Sequence, residues 1–256
     1  MKDETEAEGF INDDFLLDTD EARVLYHGFA ENLPIIDFHT RLPPKEIAEN
    51  RRFDNLTAIW LDDDHYKWRA LRAAGVDERF ITGPADDWEK FEKWAETVPQ
   101  TLANPLYHWT HIELKRIFGI DRLLSPSTAR GIWEECGEKL SLEEFTAQGL
   151  LRRANIEAIC TTDDPVDDLR YHNMLQNSRD FPVSVYPTFR PDKAMAIENP
   201  GAFSKYAGDL SRAAGMDVRS YDDFLEGLLP PDLDLVGAVV RNVCYANAKR
   251  YFGLPG

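Results

Sequence analysis

Three short apolar runs do most to limit what this chain can fold into: "LPIIDF" at 33–38, "IEAICT" at 156–161 and "VSVYPTF" at 183–189. The first is continuous rather than alternating, as a strand buried on both faces of a parallel sheet should be. Long stretches with helical spacing separate the runs, and parallel neighbours need crossovers of that kind. An α/β fold follows. Each run also ends in polar residues: His39 and Arg41, then Thr162, Asp163 and Asp164, then Arg190 and Asp192. Ligands bind at the carboxyl ends of strands in such sheets, so these three clusters are where chemistry is expected to converge.

The intervening sequence is read from its caps and faces. Residues 1–14 are expected to be a mobile lead-in. The spacing predicts a helix over 15–32, with Asp18, Thr19 or Asp20 as start signals and Leu25, Phe29 and Leu33 along one face. Asp62, Asp63 and Asp64 precede "HYKWRALRAAG", where carboxylates favour a helix start and Gly75 suits the stop. Trp88, Phe91, Trp94 and Val98 share one face, read as core. Ser125-Pro126 is expected to open a helix, with proline at its first position. Ser141 with Glu144 forms a capping-box pattern, and Ser220 with Asp223 starts another short helix. Pro230-Pro231 ends that helix and Asp232 opens a last one. His108, Trp109 and His111 read as packing residues of an insertion helix.

Length and charge restrict the function classes. The 256 residues would suit one barrel of ~250 residues, but three strands are not the eight a barrel needs. Lys and Arg total 29 against 46 Asp and Glu, a net charge of −17 that repels phosphate backbones, so no nucleic-acid partner is expected. An anionic ligand would need a local positive pocket, which makes individual arginines informative. No run of 18 apolar residues predicts a membrane span. The acidic start, Met1 to Glu8, is unlike a secretory signal. Cys136, Cys160 and Cys244 follow no zinc or redox spacing, and a cytoplasmic location is expected.

Longer stretches carry a resemblance. "LPIIDFHTRLPPKEIAENRRFDNLTAIWL", "DHYKWRALRAAGVDERFITG", "NPLYHWTHIELKRIFGI", "CTTDDPVDDLRYH" and "FRPDKAM" resemble the successive signatures of uronate isomerases, (β/α)8-barrel members of the amidohydrolase superfamily. The likeness runs from about residue 11 to 229, and "VRNVCYANAKRYFG" resembles the family's C-terminus. It implies an aldose–ketose isomerisation in hexuronate catabolism, glucuronate to fructuronate and galacturonate to tagaturonate, with a hexuronate sugar acid as partner. The reaction moves a proton between the second and first carbons of the open-chain sugar, with a divalent metal, commonly zinc, at the site. It also implies the organisation: residues 15–229 as the N-terminal part of such a barrel, with a helical insertion over about 40–155. Residues 230–256 would be the family's last helix, joined after an internal deletion. The expected fold is therefore an incomplete TIM-type (β/α)8 barrel, whose open edges favour a homo-oligomer.

The same resemblance assigns residues. His39 matches the first metal histidine, or is an ordinary strand-end histidine. Arg41 stands where the family has its second histidine, and a guanidinium offers no lone pair to a metal, so metal binding is expected to be weak or absent. His65 and Tyr66 match the catalytic pair near the sugar's reacting end, or are a helix-start histidine and a buried tyrosine. Arg190 matches the arginine that clamps the uronate carboxylate through its planar fork, or is an ordinary surface arginine. Asp163 and Asp164 read as a turn before Pro165, or as acceptors supporting the site. The second functional expectation is a catalytically inactive, shortened relative that binds sugar acids or has no independent function.

Overall fold

A computed structural model describes residues 10–228. Its first helix, α1 (Asp20–Leu25), begins where the Thr19 hydroxyl accepts from the Ala22 N–H, and it continues as a π-turn to Ala30. Leu25, Phe29 and Leu33, expected to bury one face, are all more than half exposed. Strand β1 (Ile35–Asp37) is shorter than the run that predicts it.

The chain then leaves the sheet for helices α2 (Pro44–Ala48), α3 (Leu56–Trp60), α4 (His65–Ala73), α5 (Asp87–Thr97), α6 (Pro105–Arg116), α7 (Ala129–Leu140) and α8 (Ala147–Arg153). Asp64 caps α4 by accepting from the Tyr66 and Lys67 N–H groups, and Gly75 follows it at φ +79°. Asp86 and Glu89 cap α5 reciprocally, and Phe91 and Trp94 from its apolar face, with Val98 just past its end, are fully buried. They meet Leu56, Leu114, Ile132 and Cys136 in one core.

Two predicted starts move. Pro126 lies in a turn, closed by the Thr128 hydroxyl on the Leu123 carbonyl and the Ser125 N–H, so α7 begins only at Ala129. Ser141 forms no box with Glu144, because its hydroxyl donates to the Glu138 carbonyl at the end of α7. Thr146, with extended backbone, caps α8 instead by accepting from the Gly149 N–H.

After α8 come β2 (Ile156–Asp163), α9 (Arg170–Gln176), β3 (Ser184–Phe189), α10 (Pro200–Ala214) and α11 (Tyr221–Leu228). Ser220 and Asp223 exchange bonds at the start of α11, as the spacing predicts. The sheet is ordered β1-β2-β3 and is parallel throughout, with Asp37 beside Ile159 and Cys160 beside Tyr186. One face is covered: Ile159 packs with Ile47 of α2, Leu175 of α9, Phe181 and Val183.

The other face carries Ile36 and Tyr186, 63% and 55% exposed. Burial of β1 on both faces, expected from its continuous apolar run, therefore does not occur among the described residues. Strand pattern reports what a face is suited to, and here nothing described lies over it. The helix predicted from Asp232 falls outside the described residues, as does most of the lead-in. No described helix is long and apolar enough to cross a membrane.

Candidate active site

Two backbone bonds bring the strand ends side by side. The Thr40 N–H donates to the Cys160 carbonyl at 2.8 Å, and the Arg190 N–H donates to the Asp163 carbonyl at 2.8 Å. Against these ends opens a cleft of about 550 Å³ lined by Arg41, Thr162, Asp163, Arg170 and His172. A second cleft of about 380 Å³ is lined by Arg41, Arg51, His65, Tyr66, Lys67 and Glu113. Arg41, Leu42 and Pro43 border both.

The floor of the larger cleft is a buried polar network. The Thr161 hydroxyl donates to Asp163 Oδ2 at 2.7 Å and lies 2.8 Å from His172 Nε2. With the hydroxyl proton given to the carboxylate, His172 must donate through Nε2. Among the described residues its buried Nδ1 has no hydrogen-bond partner. The Thr188 N–H adds a 3.3 Å bond to Asp163. Asp163 is thus a buried strand-end acceptor, whereas Asp164 builds the turn by accepting from the Val166 N–H. Asp164 also holds α10 through the Tyr206 hydroxyl at 3.0 Å.

In the smaller cleft most charges are paired. Arg51 meets Glu46 at 2.6 Å and Lys67 meets Asp64 at 2.8 Å. Burial pushes the Asp64 carboxyl up, but attraction to Lys67 and hydrogen bonds from Lys67 and Tyr66 outweigh it and hold it below the usual carboxylate range. Burial raises the pKa of Glu113, against the pull of Lys67. The His65 ring stacks on Tyr66 with centroids 4.6 Å apart. Arg41 Nη1 lies 3.3 Å from His65 Nε2 and 3.5 Å from Nδ1, spanning the ring rather than aligning with one nitrogen.

The other assigned residues stand apart. His39 is exposed and lines neither cleft, while its N–H donates to Asp37 Oδ1 at 3.2 Å. Arg190 also lines neither, and its Nε donates to Asp192 at 2.7 Å. Among the described residues no group of three or more His, Cys, Asp or Glu is placed to hold a metal ion. The donor set beside His39 does not fit one either, since the neighbouring position is a cationic guanidinium. His111 is structural: its Nδ1 faces the Tyr107 carbonyl at 2.7 Å and its Nε2 accepts from the Leu124 N–H. Trp109, read as packing, is half exposed.

Sequence reasoning missed His172, Thr161 and Glu113. His172 precedes Leu175 by three residues, and both are buried on one face of α9, which was the available signal. Glu113 gave none, because a glutamate in an amphipathic helix ordinarily faces water.

A parallel α/β sheet with polar strand ends opening into clefts is the class that this arrangement defines. Within it, the chain belongs to the glucuronate isomerase family, whose model matches residues 7–229. It is similar to the uronate isomerases of Cellvibrio japonicus, 52% identical over 220 residues, and of Bacillus licheniformis, 54% identical over 219 residues. These alignments cover 86% of this chain and 47% and 46% of those proteins. The crystal structure of uronate isomerase from Thermotoga maritima matches with a TM-score of 0.79 and 37% identity, over 86% of this chain and 48% of that one. Glucuronate isomerase from Caulobacter crescentus matches with a TM-score of 0.76 and 25% identity, over 85% and 47%. The chain spans about half the length of these relatives.

Proposed function

We propose that this protein is an aldose–ketose isomerase acting on hexuronates, D-glucuronate and D-galacturonate, and that its sheet is part of an incomplete (β/α)8 barrel. The observation that carries the reading is the placement of His65 and Tyr66, inside the family-matched span, in a cleft that shares a wall with the strand ends. The open sheet face bearing Ile36 and Tyr186 fits a barrel interior whose remaining wall is not among the described residues.

Isomerisation moves a proton from the second carbon to the first through an enediol. An imidazole is the side chain suited to carrying that proton, and Tyr66, stacked on His65, adds a hydroxyl that can donate to a sugar oxygen. Arg190 suits the carboxylate end: Asp192 engages its Nε, and the Nη pair is the fork for a planar anion. A cationic guanidinium at Arg41 disfavours a bound metal beside His39, and in this reading the chain's own groups hold the sugar. An isomerase assay on the purified protein tests this, following ketose formation from D-glucuronate with and without added zinc or manganese. Ketose formation supports the reading, and its absence under every condition overturns it.

A further inference from the structure

We infer that Arg41 makes the junction of the two clefts a metal-independent oxyanion site, holding the oxygens at the reacting end of the open-chain sugar beside His65. This rests on the hexuronate reading and adds to it a residue and a role. Four observations support it.

First, Arg41 borders both clefts, so its guanidinium can reach a ligand lying across them. Second, among the described residues it has no carboxylate partner; its polar side-chain contact is the His65 ring. The other cations of the smaller cleft are committed, Arg51 to Glu46 and Lys67 to Asp64. An unpaired guanidinium on a chain of net charge −17 lacks the ordinary neutralisation that surface arginines find. Third, the smaller cleft does not repel an anion as its composition would imply. Glu46 and Asp64 are neutralised by their partners, and burial favours the neutral form of Glu113. Asp63 is the remaining carboxylate of that lining.

Fourth, geometry separates two ends. Arg41 follows β1 and Arg190 follows β3, with β2 between them. Two strand spacings put the chain at those ends roughly 10 Å apart. That backbone spacing is of the length of a ligand with a carboxylate at one end and a charge-developing oxygen at the other; the Arg190 side chain itself lines neither cleft and engages Asp192 through Nε. An enediol intermediate builds negative charge on its first and second oxygens, and donors fixed there stabilise it. Arg41 supplies N–H groups in a rigid fork next to the proton-carrying imidazole.

Calorimetry in EDTA on the full chain tests this, with D-glucuronate and its neutral amide as probes. Variants Arg41→Ala, Arg41→Lys and Arg190→Ala are compared. Arg41→Ala is expected to weaken both ligands about tenfold or more, because it removes a contact common to both. Arg41→Lys should recover only part of that affinity. Arg190→Ala should weaken the acid and leave the amide unchanged. If Arg41→Ala leaves both affinities unchanged, or weakens only the acid, the assignment is overturned while the hexuronate reading stands. Binding that appears only after zinc is added also overturns it. If the unmodified protein binds neither ligand under any condition, both the inference and the reading beneath it fall.

Discussion

Asp163 and His172 are held 3.6 Å apart by a shared neighbour, the Thr161 hydroxyl, which serves the carboxylate as donor and the imidazole as acceptor. Buried polar groups of this kind are stabilising only while every partner is present. Thr161→Val keeps the shape and removes the hydroxyl. It leaves the imidazole N–H without its closest acceptor and Asp163 Oδ2 with only its longer bond to the Thr188 N–H. We expect a loss of about 2–3 kcal/mol of stability. Urea unfolding of the two proteins measures it, and equal midpoints would remove the network's importance.

Trp94 separates packing from hydrogen bonding in the helical core. Its side chain is fully buried, and its Nε1 has no acceptor among the described residues. Trp94→Ala should cost about 3–5 kcal/mol through lost burial and the cavity left behind. Trp94→Phe should cost much less, because it also removes an unsatisfied N–H. Chemical denaturation of both variants checks the order, and similar losses would show that the indole nitrogen is not a burden.

Glu113 gives a pH signature. Its folded pKa is raised, so the neutral form fits the fold best. That contribution is fully present below the unfolded value, about 4.3, and is lost as pH rises through the folded value. Glu113→Gln lacks the loss. The variant should match the unmodified protein at about pH 4 and melt at a higher temperature at about pH 8. Melting curves across that range decide it, and a variant less stable at the upper end would contradict the burial argument.

The metal prediction follows from donors rather than geometry. Arg41 offers no lone pair, and a tight site needs three or more ligands. After dialysis the purified protein should hold substoichiometric zinc, and Arg41→His alone should not restore tight binding. Elemental analysis is the check, and near-equimolar zinc in the unmodified protein would contradict it.

What the sequence made legible was local. The parallel sheet, the Asp64 cap and the buried face of α5 follow from patterns within a few residues, whereas sequence reasoning missed the Asp86–Glu89 box. Pro126 and Ser141 misled because nearby hydroxyls and carbonyls offered competing turn bonds. The site was legible only in part. His65 and Tyr66 line a cleft beside the strand ends, but the Thr161 network depends on three residues from two elements meeting in space. The exposure of Ile36 and Phe38 was not legible, since apolar pattern states what a face favours and not what lies over it.

That exposure carries its own expectation. Among the described residues Ile36, Phe38 and Tyr186 present apolar surface beside the unpaired edges of β1 and β3, which favours association of copies. Light scattering should show concentration-dependent self-association, reduced by Ile36→Lys with Phe38→Asp. A stable, concentration-independent monomer of the unmodified chain would overturn it.

The most direct test of the central claim follows the reaction on its substrate by proton NMR, with D-glucuronate and the purified protein in one tube. The account predicts growth of ketose signals at the expense of the aldose, slowed roughly a hundredfold or more by His65→Ala. No ketose from the unmodified protein, or turnover by His65→Ala at the unmodified rate, would contradict it.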